Sequence, residues 1–437
     1  MKKGIKYESR PLKAWGKAKE YREKYYAEYA DAHKEGKLRW VGGAETMDAL
    51  VAGFGDQAFM CSEGYSASIG NNPKFSLECQ EALEARGFAR DLCAYLRNYW
   101  GSMFLNKYLW GGEFPRPDFA LQAHICCLHA KWYQLVAEYE GIPHFSIDAA
   151  VGPTAEAKDL SHRIDYVTGQ CLDAIEWMQK VTGREYDDEK LIEAVYQEAK
   201  NTSLWSEICN LNKAIPAPLD EKSMYSLYVL AVLWKSDKRV GEIYEELKAE
   251  VEDRVQNQIA AVPTERFRII HDIQPPWAFL KIFRYLEEYG VVSVGSVYTF
   301  TLMGTWDFID GRLVPSVPPQ KQDIKLKTRE DAVRFMVEWY LTKKPILDTF
   351  YEGCSTKSTY MLSLLRDWKA GAAIIHFNRG CEGLSLHCAE NKLALTRAGI
   401  PVLTYEGNMA DDREFDPVAT VARVDAFMES LELGRLT

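Results

Sequence analysis

The amino-acid sequence predicts an α/β protein: two similar parallel-sheet units of the Rossmann or flavodoxin kind, with a helical insertion between them. Three observations carry that reading. Short apolar runs such as Ala372-Ala-Ile-Ile375 end in turn-forming residues and lead into helical patterns, as buried parallel strands do. A strand, a cysteine, a helix, a Gly-Ile-Pro and a second strand follow one another at 118–148 and again at 372–404. Between these stretches, residues 156–261 lack strand character. The expected units are 1–155, an N-terminal α/β domain with a leading helix; 156–262, a helical segment; and 263–437, a C-terminal α/β domain.

The elements follow in order. Residues 12–35 hold Lys, Glu, Ala and Tyr without Pro and stop at Gly36, which predicts a helix. Strands are expected at 38–41 and 58–61, the second followed by a Gly-rich segment at 64–70. Residues 78–100 read as helical apart from a break at Gly87, and carry Cys79 and Cys93. The strand 118–124 runs into Ile125-Cys126-Cys127-Leu128, a helix continues to Glu140, and 144–148 is the next strand. Helices of the insertion centre on Ile175, Val195, Leu230 and Leu247, punctuated by Gly183 and Pro216-Ala-Pro218. Strand character resumes at 266–270, before the turn Gln274-Pro-Pro-Trp277, a helix to Tyr289 and a strand at 291–294. An aromatic stretch runs from Tyr298 through Trp306 and Phe308, and 315–319 is a loop. Helices are expected at 329–341, 356–368 and 417–431. The strand opening at Ala372 meets Asn378-Arg379-Gly380, with Cys381 at the apex of the loop. A helix carrying Leu384, Leu393 and Leu395 then ends at Ala398-Gly399, and 400–404 is the last strand.

Composition excludes several classes of function. The chain has 437 residues, 47% hydrophobic and 27% charged, enough for a large core and two or three domains. A net charge of -10 without a basic block argues against nucleic acid as a partner. No apolar run reaches the roughly 18 residues of a membrane helix. The N-terminal Met-Lys-Lys-Gly-Ile-Lys-Tyr lacks the apolar core of a secretory signal, so a cytoplasmic protein is expected.

Ten cysteines in such a chain are not expected to be disulfides. No Cys-x-x-Cys pair and no Gly-x-x-x-x-Gly-Lys-Ser/Thr run occur, so neither a zinc ribbon nor a Walker A loop is supported. Cys381 sits beyond the carboxyl end of a strand, at a helix start, where open α/β sheets hold ligands and where amides favour thiolate. The plain alternative is a small buried cysteine in a tight loop. Cys126 occupies the matching place in the first unit, and Cys93 lies on a helix of that unit. Three thiolates from separate elements suit an iron–sulfur cluster better than structural zinc, and an iron without a fourth cysteine could bind water or substrate.

Phe88-Ala-Arg-Asp-Leu-Cys93, His124-Ile-Cys126, Gly141-Ile-Pro-His-Phe-Ser-Ile-Asp148 and His376-Phe-Asn-Arg-Gly-Cys381-Glu-Gly resemble the iron–sulfur subunits of the 2-hydroxyacyl-CoA dehydratase and benzoyl-CoA reductase family. The closing run from Gly399 to Asp416 fits as well, and the likeness spans most of the chain. Length and the ending Glu406-Gly-Asn-Met-Ala-Asp411 look most like the B-type subunits of the benzoyl-CoA-reducing branch. The resemblance implies one [4Fe–4S] cluster per subunit, with ligands that map onto Cys93, Cys126 and Cys381. It implies a homologous iron–sulfur partner subunit, and a separate activator that uses ATP and Mg. The implied reaction is reduction of the aromatic ring of benzoyl-CoA by single electrons. Dehydration of a 2-hydroxyacyl-CoA is the alternative, and a non-catalytic electron-transfer subunit is another. The doublet Cys126-Cys127 leaves the second ligand open, with Cys126 favoured because it comes first after the strand.

Four further residues are candidates for the substrate site. Glu63 follows a strand in Cys61-Ser-Glu63-Gly-Tyr65 and could hydrogen-bond substrate or support proton transfer; a solvated loop carboxylate is the plain alternative. His124 and His376 precede the cysteine loops and could donate to sulfur or supply protons, or simply be satisfied structural residues. Glu382, next to Cys381, could tune a cluster's potential. Cys79, Cys171, Cys209, Cys354 and Cys388 are expected to be structural thiols.

Overall fold

The computed structural model describes residues 4–150, 160–351 and 353–436, without the side chains of Tyr351, Cys354 and Glu382. Two all-parallel four-stranded sheets form its frame. The first contains β1 (Leu38–Gly42), β2 (Gln57–Cys61), β3 (Phe119–His124) and β4 (His144–Asp148), in the order β2-β1-β3-β4. The second contains β5 (Phe267–Asp272), β6 (Val291–Ser293), β7 (Ala372–Asn378) and β8 (Val402–Gly407), in the order β8-β7-β5-β6. Read from the opposite edge, the second order repeats the first. The repeated plan expected from the sequence is therefore present as strand order. In both sheets the order turns back between the first and third strands, where a crevice opens beyond the carboxyl ends. Trp40 of β1 faces Phe119 of β3 there, and Ala372 of β7 faces Ile269 of β5.

The helices correct several boundaries. α1 (Ala14–Asp31) buries Ala14, Ala18, Tyr21, Tyr25 and Tyr29, a stripe at helical spacing. The Gly-rich segment expected at 64–70 is a helix, α2 (Ser62–Gly70). Its small residues admit close packing: a Cβ on Gly64 would lie 2.6 Å from Leu233 Cδ2. The helix expected at 78–100 is two helices, α3 (Pro73–Glu84) and α4 (Ala94–Phe104). Gly87 takes φ +86° between them, and Cys93 caps α4 instead of lying within a helix. A Cβ on Gly101 would lie 2.1 Å from the Cys79 carbonyl oxygen, so α4 crosses α3 in near backbone contact. α5 (Cys127–Glu140) ends at Gly141, whose left-handed φ of +62° closes it.

Four helices fill the central stretch: α6 (Leu160–Thr182), α7 (Asp188–Leu211), α8 (Glu221–Trp234) and α9 (Lys238–Gln256). The last three open on Asp187, Asp220 and Asp237, whose carboxylates accept first-turn amides.

Beyond β6 the sequence reading misses a hairpin, Trp306–Ile309 paired with Arg312–Pro315. The single helix expected after Cys381 is two, Glu382–Ser385 and Cys388–Arg397, parted by His387 at φ 64°. Tyr298, Phe300 and Trp306 are buried, so the aromatic stretch belongs to the core, and of its four rings Phe308 alone is exposed. Among the described residues no helix is long and apolar enough to cross a membrane.

Candidate functional site

Three helix starts bring Cys93, Cys126 and Cys381 together. Cys93 caps α4, Cys126 caps α5, and Cys381 precedes the short helix Glu382–Ser385. Each sulfur faces two amides of the helix it opens: Tyr95 and Leu96 for Cys93, Leu128 and His129 for Cys126, and Gly383 and Leu384 for Cys381. Burial pushes all three thiols up, Cys126 to about 12, and the sulfurs push one another further: Cys381 acts on both Cys93 and Cys126. As free cysteines they are thiols. Bonding to a metal would displace the protons, and the amide pairs would then donate to thiolate.

The loops are tied to each other. The Ala94 amide donates to the Gly380 carbonyl at 3.1 Å, joining the Cys93 helix to the Cys381 loop. Asn378 Oδ1 accepts the amides of Gly380 at 2.9 Å and Met409 at 3.0 Å. The 408–411 turn in turn grips α3 and α4, through Ser76 Oγ donating to the Ala410 carbonyl at 2.7 Å and buried Arg97 paired with Asp411 at 3.0 Å. Gln274, just beyond β5, donates its side-chain amide to the Cys381 sulfur, and Lys357 lies close enough to draw that thiol down. Lys357 is itself buried against Asp272 at 2.7 Å.

The cysteines open on a cavity of about 1120 Å³ that also reaches Glu63, His129, Tyr95, Trp277 and Tyr298. His129 Nε2 lies 2.6 Å from Glu63 Oε1, and Glu63 Oε2 accepts from the Ala44 amide and the Ser62 hydroxyl, both at 3.0 Å. Burial pushes the Glu63 carboxyl up, but His129 and the hydrogen bonds outweigh it and leave it below its ordinary value. Burial pulls the His129 imidazole down, and Glu63 outweighs that, leaving it raised. Each partner therefore favours the charged form of the other, carboxylate on Glu63 and imidazolium on His129. Four cations line the same cavity. Arg284 contacts Asp220 and Glu287, and Lys19 lies 3.8 Å from Glu23. Arg22 of α1 and Lys222 of α8 make no hydrogen bond to a described residue, which leaves both free to meet an anion.

Several sequence expectations are refined by this geometry. Cys126 holds the half-buried cap position, whereas Cys127 is exposed on the first turn of α5, and both line the cavity. Glu63 is a buried, paired carboxylate and not a solvated loop residue. His124 lines the cavity. His376 does not. It is fully buried, its ring stacks on Tyr405 at 4.7 Å, and its Nδ1 donates to the Gln274 carbonyl at 2.6 Å. Burial lowers it to about 4, so it is a neutral buttress of the Gln274 loop, set back from the cavity. The Glu382 side chain lies outside the described residues, as does that of Cys354. Cys79, Cys171, Cys209 and Cys388 are buried. Sequence reasoning missed His129, Gln274 and the cations. His129 stands three residues after Cys126, one helical turn on, a spacing that could have flagged it.

Two parallel sheets thus bring three thiols, an acid–histidine pair and four cations to one large cavity. The chain belongs to the family described as 2-hydroxyglutaryl-CoA dehydratase, D-component, whose model matches residues 67–431. It is similar to the (R)-2-hydroxyisocaproyl-CoA dehydratase alpha subunit of Clostridioides difficile, 26% identical over 366 residues, 82% of each chain. It is 24% identical over 371 residues to the (R)-phenyllactyl-CoA dehydratase alpha subunit of Clostridium sporogenes, covering 84% of this chain and 83% of that one. The (R)-2-hydroxyglutaryl-CoA dehydratase alpha subunit of Acidaminococcus fermentans is 24% identical over 322 residues, 73% of this chain and 61% of its own.

Proposed function

We propose that this chain is one subunit of a heteromeric enzyme that removes water from a 2-hydroxyacyl-CoA, working with a homologous partner subunit and a separate ATP-using activator. The observation that carries it is one cavity joining the three cysteines to Glu63–His129, in a chain whose relatives above are all named as 2-hydroxyacyl-CoA dehydratase subunits. Those names move dehydration ahead of the benzoyl-CoA reduction expected from the sequence.

The residues fit an iron–sulfur cluster. Three half-buried thiols stand at the starts of three separate helices, each with an amide pair aimed at sulfur. Among the described residues no three His, Cys, Asp or Glu side chains gather closely enough for a single ion, whereas a cluster holds its thiolates apart. Cys93, Cys126 and Cys381 would hold such a group, which supplies single electrons at low potential and an iron open to a substrate oxygen. The chain's own residues do the rest. Glu63 and His129 hold and move a proton at the cavity wall. Tyr95, Trp277 and Tyr298 exclude water from the acyl group. Arg22 and Lys222 meet the phosphates of CoA as charge-assisted donors.

Reduction of benzoyl-CoA remains as a second reading. The aromatic wall favours it, since Tyr95, Trp277 and Tyr298 suit a flat ring. A purely electron-carrying subunit has no use for the acid–histidine pair. The test is an anaerobic assay of the complete complex on 2-hydroxyacyl-CoAs and on benzoyl-CoA, counting electrons. Dehydration consumes electrons only at activation, whereas ring reduction consumes them at every turnover. A complex that turns over neither substrate class overturns both readings.

A further inference from the structure

Behind the cavity wall lies a cluster of five charged side chains from four places in the fold. Glu45 and Asp48 follow β1, Glu198 is on α7, Lys235 caps the C-terminus of α8, and Lys344 caps that of the helix Arg329–Lys343. None is more than 5% exposed. Lys344 Nζ contacts Glu45 Oε2. Lys235 Nζ lies 3.6 Å from Asp48 Oδ1 and donates to the Thr46 carbonyl. Both lysines end helices, where the backbone carbonyls favour a cation.

The charges do not balance: three carboxylates face two ammonium groups. A buried net charge is costly, and one carboxyl is relieved by holding a proton. Glu45 and Asp48 each pair with a lysine, whereas Glu198 makes no ion pair among the described residues and its Oε2 has no hydrogen-bond partner there, so Glu198 is that group. Burial raises its carboxyl to about 7, with Asp48 and Glu45 adding to the rise and Lys235 and Lys344 opposing it. Burial draws the Lys235 ammonium down, and its carboxylate neighbours push it above its ordinary value; the Lys344 ammonium is left lowered, burial prevailing over Glu45. The cluster has a way out. Glu45 lines the cavity, its Oε1 is buried without a hydrogen-bond partner, and its charge reaches His129.

We propose that Glu45, Asp48, Glu198, Lys235 and Lys344 form a buried proton reservoir that exchanges one proton with substrate in the cavity through Glu45. The proposal rests on the reading that the cavity holds the reacting acyl-CoA. In the delivering direction the Glu198 carboxylic acid becomes a carboxylate, Glu45 passes the proton on, and a basic substrate atom gains it. A proton from the bulk solvent, taken up along the same route in reverse, restores Glu198, and no electrons move. A dehydration needs such a store to keep a proton taken from carbon until the hydroxyl departs. A ring reduction needs it as a supply.

The test uses Glu198→Gln, which keeps the shape and removes the titration, and Glu45→Gln, which closes the exit. Infrared difference spectra of the full-length chain against pH read the carboxyl directly and need no activity. The wild type should lose a buried carboxyl band as pH rises through about 7. The Glu198→Gln chain should lack that band while keeping the band of Glu221, which is held by Ser293 and Tyr225 and titrates at about 8. Glu45→Gln should keep the Glu198 band with its midpoint lowered, because a neighbouring negative charge is gone. In the complete anaerobic complex, both variants should turn over roughly tenfold more slowly, below the full contribution of a direct acid–base group. Glu198→Gln should also lose the change of rate between about pH 6 and 8. A Glu198→Gln chain with every wild-type carboxyl band, or a Glu198→Gln complex with the wild-type pH profile, overturns the reservoir. A complex that turns over no acyl-CoA overturns the proposed function instead, and the infrared titration still decides whether Glu198 holds the proton.

Discussion

The Ala94 amide donates to the Gly380 carbonyl at 3.1 Å, so the residue after one cysteine is bonded to the residue before another. That bond sets the distance between Cys93 of α4 and Cys381 beyond β7, although 287 positions (381 minus 93, less one) separate them in sequence. It acts together with Asn378 Oδ1, which holds the Gly380 amide at 2.9 Å from the end of β7.

Gly380 should tolerate no side chain. A Cβ there would lie 2.3 Å from Asn408 Oδ1 and 3.1 Å from Ala94 Cβ. Asn408 cannot move aside, since its Oδ1 also accepts the amides of Ala410 and Asp411. Gly380→Ala should destabilise the chain by about 1–3 kcal/mol in denaturant unfolding, and should lower iron retention after anaerobic reconstitution.

Separate replacement of Cys93, Cys126 and Cys381 by Ala should each strip most of the iron and sulfide from the anaerobically prepared subunit. Cys127→Ala should not, because that residue is exposed on the turn of α5 while Cys126 faces the other two thiols. Cys171→Ala and Cys209→Ala should retain iron as well, since both lie in the core outside the cavity. Full iron content in Cys381→Ala would remove the assignment.

The Glu63–His129 pair should govern the pH response. Glu63 is held below its ordinary 4.5 and His129 above its ordinary 6.5. The stability that Glu63 contributes is present above its unfolded pKa and is lost as pH falls through the lower folded value. That of His129 is present below 6.5 and is lost as pH rises through the higher folded value. Glu63→Gln removes the carboxylate that opposes burial, so the His129 pKa should fall, as read by histidine NMR. Turnover in Glu63→Gln and in His129→Gln should fall by roughly 10²–10⁴-fold, measured as kcat in the complete complex.

Arg22 and Lys222 should act on binding and not on the chemical step. Arg22→Gln and Lys222→Gln should each raise KM for an acyl-CoA by roughly tenfold or more with kcat kept, the effect of losing one charge-assisted hydrogen bond. A truncated thioester without the nucleotide should be bound equally by wild type and variants. Equal losses on both substrates would place the two cations in the acyl pocket.

The sequence by itself determined the elements and the chemistry-bearing residues of the loops. Apolar runs with period-free burial marked β3, β5 and β7, Gly141 and Gly399 marked helix ends, and the cysteines after β3 and β7 marked the crevice. These signals are local, since a chain segment's own pattern dictates whether it is buried and where it turns. Local patterns fail where the partner is distant. Small residues made α2 look like a loop because the apolar faces of Leu233 and Ala410 that it packs against lie far along the chain. Continuous helical composition hid the break that puts Cys93 at the cap of α4. His376 looked exposed to the site because it precedes the cysteine loop, yet β7 alternates its side chains and turns that ring inward onto Tyr405. Only the tertiary structure decided that His129 pairs with Glu63 across the cavity wall, that Arg22 and Lys222 reach one cavity from two helices, and that Asp48, Glu198, Lys235 and Lys344 gather behind Glu45. The reason is that charge, unlike apolar periodicity, leaves no trace in the spacing of a sequence: its effect depends on distance and burial, and those exist only once the chain is folded.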